Sequence, residues 1–131
     1  MAGAKIAGIL ALDSNYIVAA RKIGSEEGIR LERWLRDGWI AQVSAVAWSE
    51  YLCGPLAADD IAISRDLIMS VEPFTEEDAV LASAMFIQTR RRSRSHADCM
   101  IAAHAIRREA ALATLNAQDF RRFEKFGLRL A

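Results

Sequence analysis

Seven glycines, two prolines and two cysteines are all that this 131-residue chain contains of the usual punctuating and cross-linking residues. No glycine-rich loop able to cradle a phosphate occurs, and no GxSxG turn, so two large enzyme classes lose their signatures. Cys53 and Cys99 stand apart without CxxC spacing, each inside an apolar helical pattern. A disulfide scaffold is therefore not expected, and buried thiols in a reducing cytoplasm are. No uncharged apolar run nears the ~20 residues that a membrane span needs, so no membrane association is expected. The apolar patch Ile6–Leu12 is short and ends at an aspartate, which argues against a signal peptide. Low-complexity stretches and internal repeats are missing too. What is present is 53% hydrophobic, enough for the core of one domain spanning 1–131.

The net charge of zero conceals an asymmetry. Residues 1–88 carry 7 Lys/Arg against 13 Asp/Glu, a balance of −6, and residues 89–131 carry 10 against 4, a balance of +6. Most of the positive charge is arginine, at 90–92, 94, 107–108 and 121–122. A charge run often does no more than solvate a helix face, but guanidinium forks also suit phosphate and carboxylate partners.

Apolar runs alternate with amphipathic stretches along the chain. Ile6–Leu12 is the length of a strand buried on both faces, and Asp13-Ser14-Asn15 ends it with turn and cap chemistry. A short helix to Ala20 follows, then one capped by Ser25 with an apolar stripe at Leu31, Trp34 and Leu35, stopped at Gly38. Trp39–Val43 reads as a second strand. Ser44 caps a helix to about Cys53, on which Glu50 falls in line with Val43, Val46 and Ala47 and is expected to point inward. Asp59–Ser70 is a modest helix, and Val71–Phe74 a short edge segment. Thr75 and Asp78 form a capping-box start for a long helix with a stripe at Val80, Ala84 and Ile87. A buried helix opens at Ser95-x-x-Asp98 and runs to Ile106, followed by a strand at 111–115, a turn into a short basic helix, and a last strand near 128–130. This alternation predicts an α/β fold, an αβα sandwich with a mainly parallel central sheet.

Taken singly, Asp13, Asp98 and Asp119 read as helix caps. Their coincidence says more: Asp13 and Asp119 follow strands at the same edge of a parallel sheet, where ligands bind. Asp98 opens the most buried helix, and Glu50 comes from the helix after the second strand. Two carboxylates at ~4 Å cost about 4 kcal/mol at an effective dielectric of 20, so convergence requires protons or a divalent cation. Oxygen-only ligands select Mg²⁺ or Mn²⁺ over zinc, and such a cation activates water and stabilises phosphodiester charge. Rival chemistries are weaker. His96-x-x-Cys99 lacks two further zinc ligands, a Cys in an apolar helix is usually inert, and His104 is expected to satisfy itself in or beside the core. The tryptophans at 34, 39 and 48 fit core or interface better than base stacking.

The pieces Leu-Asp13-Ser14-Asn15, Ser-Ala-Val-Ala-Trp-Ser-Glu50-Tyr-Leu, Asp98-Cys-Met-Ile-Ala-Ala-His-Ala and Thr114-Leu-Asn116-Ala-Gln-Asp119-Phe120 stand in order from residue 9 to 120. Together they resemble the PIN-domain nucleases, and within them the VapC-like toxins of toxin–antitoxin modules. The resemblance implies a metal-dependent endoribonuclease with Asp13, Glu50, Asp98 and Asp119 as ligands of Mg²⁺ or Mn²⁺. It places Ser14 or Asn15, Thr114 and Asn116 behind them, orienting ligands or water. It also implies a homodimer and inhibition by a small antitoxin protein. Ser14 stands where the family often has threonine, and Arg92-Ser93-Arg94 lacks a glycine often seen there. Arg90, Arg92 and Arg94 are expected to hold RNA backbone phosphates. The reading of a different class is a non-catalytic PIN-like module that binds RNA or protein; retention of all four acids speaks against it. A receiver-like phosphoacceptor domain fits less well, since it wants a paired acid early and a lysine late on the sheet.

Overall fold

The computed structural model describes residues 5–90 and 96–131. Strand β1 (Gly8–Leu12) leads through α1 (Ser14–Ala20) and α2 (Glu26–Arg36) to β2 (Trp39–Ser44). The chain continues through α3 (Ala45–Leu52), α4 (Asp60–Leu67), β3 (Ser70–Glu72), α5 (Glu76–Gln88) and α6 (His96–Arg107). It closes with β4 (Ala111–Ala113), the short α7 (Ala117–Phe120), a 3₁₀ helix (Arg121–Phe126) and β5 (Arg129–Leu130). The five strands form one sheet in the order β3-β2-β1-β4-β5, and all four pairings are parallel. This is the expected αβα sandwich.

Local chemistry sets most boundaries. Ser25, Ser44 and Thr75 cap α2, α3 and α5 through their hydroxyls, and Thr75 with Asp78 completes a capping box. Gly38 ends α2 with φ +95°, a left-handed turn that costs glycine no Cβ clash. The strand interiors pack as parallel strands require: Leu10, Leu12, Val43 and Leu112 are buried, with helices supplying the cover. Among the described residues no helix is long and apolar enough to cross a membrane.

Three expectations fail on helix rotation or exposure. Val80 and Ile87 are 66% and 56% exposed, and α5 instead buries Asp78, Ala82 and Met85. The cause is Asp78, which is fully buried because Arg107 and Arg108 from the end of α6 bind it. Glu50 is exposed, since α3 buries Ala47, Trp48 and Tyr51. Tyr51 anchors that face, its hydroxyl accepting from Arg21 Nη1 at 2.8 Å and hydrogen-bonded to Ser64. Cys53 is exposed at the end of α3, whereas Cys99 is buried as expected.

Candidate active site

The strand order reverses between β1 and β4: from β1 the sheet grows through β2 to β3 on one side, and through β4 to β5 on the other. Crossovers leaving neighbouring strands in opposite directions open a crevice at their carboxyl ends. Asp13 stands there, 4% exposed, its backbone N–H donating to Ala113 O at 2.9 Å. One carboxylate oxygen accepts from the Ser14 N–H at 2.8 Å, and the other from the Thr114 hydroxyl at 2.7 Å. Burial raises the Asp13 pKa above the usual range, opposed by the bonds from Thr114, Ser14 and Asn15. Such hydrogen bonds favour the charged form and point the group.

The predicted supporting residues take unequal parts. Asn15 Oδ1 accepts from the Leu115 N–H at 3.1 Å, and Thr114 Oγ1 accepts from the Asn116 N–H at 3.0 Å. These side-chain acceptors take amides that a longer strand would spend on its ladder, which fits β4 stopping at Ala113 instead of 115. Asn116 contributes its backbone and makes no side-chain cap. Ser14 Oγ lies 3.5 Å from Glu50 Oε1, tying the rim acid to the start of α1.

Electrostatics links the acids. Although Glu50 is exposed as a residue, its pKa is raised, by the burial its carboxyl does have and then by the charges of Asp13 and Asp98. Asp98, in the first turn of α6, is pushed up to about 6. Burial is the largest cause, Asp13 and Asp119 add repulsion, and Arg122 opposes them. Asp119 is exposed on α7. Among the described residues, no three His, Cys, Asp or Glu side chains already stand close enough to hold a metal ion. The donor types nonetheless suit a hard divalent cation: oxygen ligands and negative charge, with the pKa values of Asp13, Glu50 and Asp98 raised.

Sequence reasoning missed Arg122 as a site residue. Its Nη2 lies 3.7 Å from Asp98 Oδ2, and its guanidinium sits over the Phe123 ring at 4.6 Å. The only signal was an arginine pair just after Asp119, which reads equally well as a solvated helix end. Arg90 follows α5 with φ 68°, exposed; Arg92 and Arg94 lie outside the described residues. His104 departs from expectation: it is buried, with no hydrogen-bond partner on either ring nitrogen among the described residues. Burial, aided by Arg108, lowers its pKa to about 4, so it is neutral near pH 7.

The PIN domain family profile matches residues 10–126, and the chain belongs to that family. Similar solved structures include a chain of VapBC2 from Rickettsia felis, bound to a DNA fragment from its promoter. That likeness has a TM-score of 0.74 at 20% identity and covers 94% of this chain and 97% of the other. DNA-bound VapBC from Salmonella typhimurium gives 0.67 at 22% identity, covering 93% and 96%. VapC20 from Mycobacterium tuberculosis, described as a sarcin–ricin loop cleaving toxin, gives 0.64 at 16% identity, covering 93% and 98%. At these identities the likeness is one of fold. No curated protein matches the chain in sequence.

Proposed function

We propose that this chain is a Mg²⁺- or Mn²⁺-dependent endoribonuclease, the toxin of a toxin–antitoxin pair, acting in the cytoplasm. The observation that carries the reading is Asp13: a buried carboxylate at the sheet's switch point, oriented by Thr114 and Ser14, with the charges of Glu50 and Asp98 acting in the same crevice. Asp13, Glu50, Asp98 and Asp119 would hold the cation. When bound, it supplies Lewis acidity to the phosphodiester and makes water nucleophilic near neutral pH. The protein's own part is positioning: Thr114 and Ser14 fix Asp13, Ser14 steadies Glu50, and Arg122 holds Asp98 while presenting positive charge beside the crevice. A small antitoxin as inhibitor and a homodimer belong to the same reading. VapB–VapC complexes among the similar structures support the first, and the exposed apolar residues Val80 and Ile87 on α5 support the second.

The test is cleavage of structured RNAs with EDTA, Mg²⁺ or Mn²⁺. Metal-dependent internal cuts are expected; RNA that is bound but stays intact under every metal condition would turn the reading to a non-catalytic module.

Thr114→Val probes the support of Asp13. The swap keeps the shape and removes the hydroxyl that donates at 2.7 Å, so the Asp13 carboxylate loses an opposing influence and its pKa rises further. Metal affinity is expected to fall 10–100-fold, the usual effect of losing an outer partner of a ligand. The fold should lose about 1–3 kcal/mol, since the hydroxyl serves both the buried Asp13 carboxylate and the Asn116 N–H. Calorimetric Mn²⁺ titration measures the first and thermal melting the second; unchanged affinity would remove Thr114 from the site.

A further inference from the structure

A cavity of about 240 Å³ is lined, among the described residues, by Gln88, Thr89, Arg90, Arg122 and Lys125. It lies where the end of α5 meets the 3₁₀ helix. That volume is many times the ~10–15 Å³ that one water needs by the same measure. Three of the five lining residues are cations, two are polar, and no carboxylate is among them. Arg122 joins this cavity to the acidic crevice, since its Nη2 is 3.7 Å from Asp98 Oδ2. Its Nε and Nη2 are shut off from water and have no hydrogen-bond partner among the described residues. A phosphate in the cavity therefore meets the charge of Arg122 and not these two nitrogens. The Phe123 ring under Arg122 and the Phe126 ring under Lys125 brace both cations from the same 3₁₀ helix.

We infer that this cavity is a phosphate subsite: Arg90, Arg122 and Lys125 receive an internal phosphodiester of single-stranded RNA flanking the bond that lies over the acidic crevice. The inference rests on the nuclease reading and adds to it a place for the substrate's backbone. Acids and cations divide the labour by position. The acidic crevice repels an RNA phosphate until a cation is bound, whereas the adjoining basic cavity attracts one without any metal. A subsite of this kind reads charge and carries no base preference.

Binding without metal is therefore the discriminating measurement. Fluorescence anisotropy in EDTA, across a salt series, uses single-stranded RNA oligonucleotides of several sequences with a 5′-hydroxyl or a 5′-phosphate end. Lys125 is exposed, so Lys125→Gln should fold normally, which melting checks. Its slope of log Kd against log salt should be shallower by about 0.7, the share of one single-strand phosphate contact. Arg90→Gln should act alike and the double variant about twice as much, with equal loss across sequences and both end groups. An unchanged slope overturns the subsite. So does a loss confined to 5′-phosphorylated RNA, which would make it an end-binding pocket, or weakened binding of an acidic peptide with RNA unaffected, which would give it to a protein partner. The two readings fail separately. Lys125-dependent binding in a protein that cuts nothing sinks the nuclease, and an unaltered slope in an active nuclease sinks only the subsite.

Discussion

Asp98→Asn is expected to reduce metal-dependent RNA cleavage to background, while the metal-free variant melts at or above the wild-type temperature. The two effects share one origin. Asp98 is held at about 6 against 3.8 in an ordinary aspartate, by burial first and by Asp13 and Asp119 after it, with Arg122 opposing. Near pH 7 the folded protein must ionise it against that preference. The gap corresponds to about 3 kcal/mol unscreened. A side chain 32% open to water feels on the order of 1–2 kcal/mol of it. The sign follows from proton counting: between pH 4 and 6 the folded state binds the proton more tightly than the unfolded one. Metal-free stability therefore falls as pH rises through that window. Asparagine keeps the shape, removes one unit of repulsion and abolishes this pH dependence. Wild type should gain about 2.7 kcal/mol from Mn²⁺ at a hundred times its Kd, and the variant much less. Melting with and without Mn²⁺ at pH 5 and 7, beside an RNA cleavage assay, checks every part. If Asp98 only caps its helix, asparagine caps as well and nothing moves.

Asp78→Ala should be the most destabilising single change, by about 3–5 kcal/mol, because it strands two guanidinium groups that one buried carboxylate now serves. Arg108 Nη1 reaches both Asp78 oxygens at 3.0 Å and Arg107 Nε stands at 3.3 Å. Asp78 Oδ2 also accepts the Thr75 N–H at 2.9 Å, and Arg108 Nη2 donates to Pro73 O at 2.9 Å, so the cluster ties the entry of α5 to the end of α6. Burial alone would raise this carboxyl, but the bonds from Arg108 and Thr75 outweigh it and hold the pKa below the usual range. The pH sign is opposite to that of Asp98: this stability is complete above about pH 4 and is lost as pH falls through the depressed pKa. For a chain of this size the alanine variant should melt roughly 10–20 °C lower. A loss under about 1 kcal/mol would class the cluster with surface ion pairs.

The opposed signs locate metal-free wild type's best stability around pH 4. Below it Asp78 loses its partners' support, and from there up to about pH 6 the crevice charges up. Bound cation should move the optimum upward, since it rewards ionised Asp98.

Read alone, the sequence determined the strand–helix alternation, the caps at Ser25, Ser44 and Thr75, and the stop at Gly38. It also picked out the acids at 13, 50, 98 and 119 as candidates. These signals are local: a cap or a period is written within a few residues, and an acid after an apolar run marks a strand end wherever the strand lies in the sheet. The tertiary structure alone decided which way each helix turns about its axis. Glu50 reaches the rim because Arg21 and Ser64 anchor Tyr51, and Val80 faces outward because α6 holds Asp78. It alone brought the Thr114 hydroxyl to Asp13 across 101 positions, and set Arg122 between the acidic crevice and the basic cavity. Such pairings depend on chain segments far apart in sequence, and charge alone does not say which acid an arginine will meet.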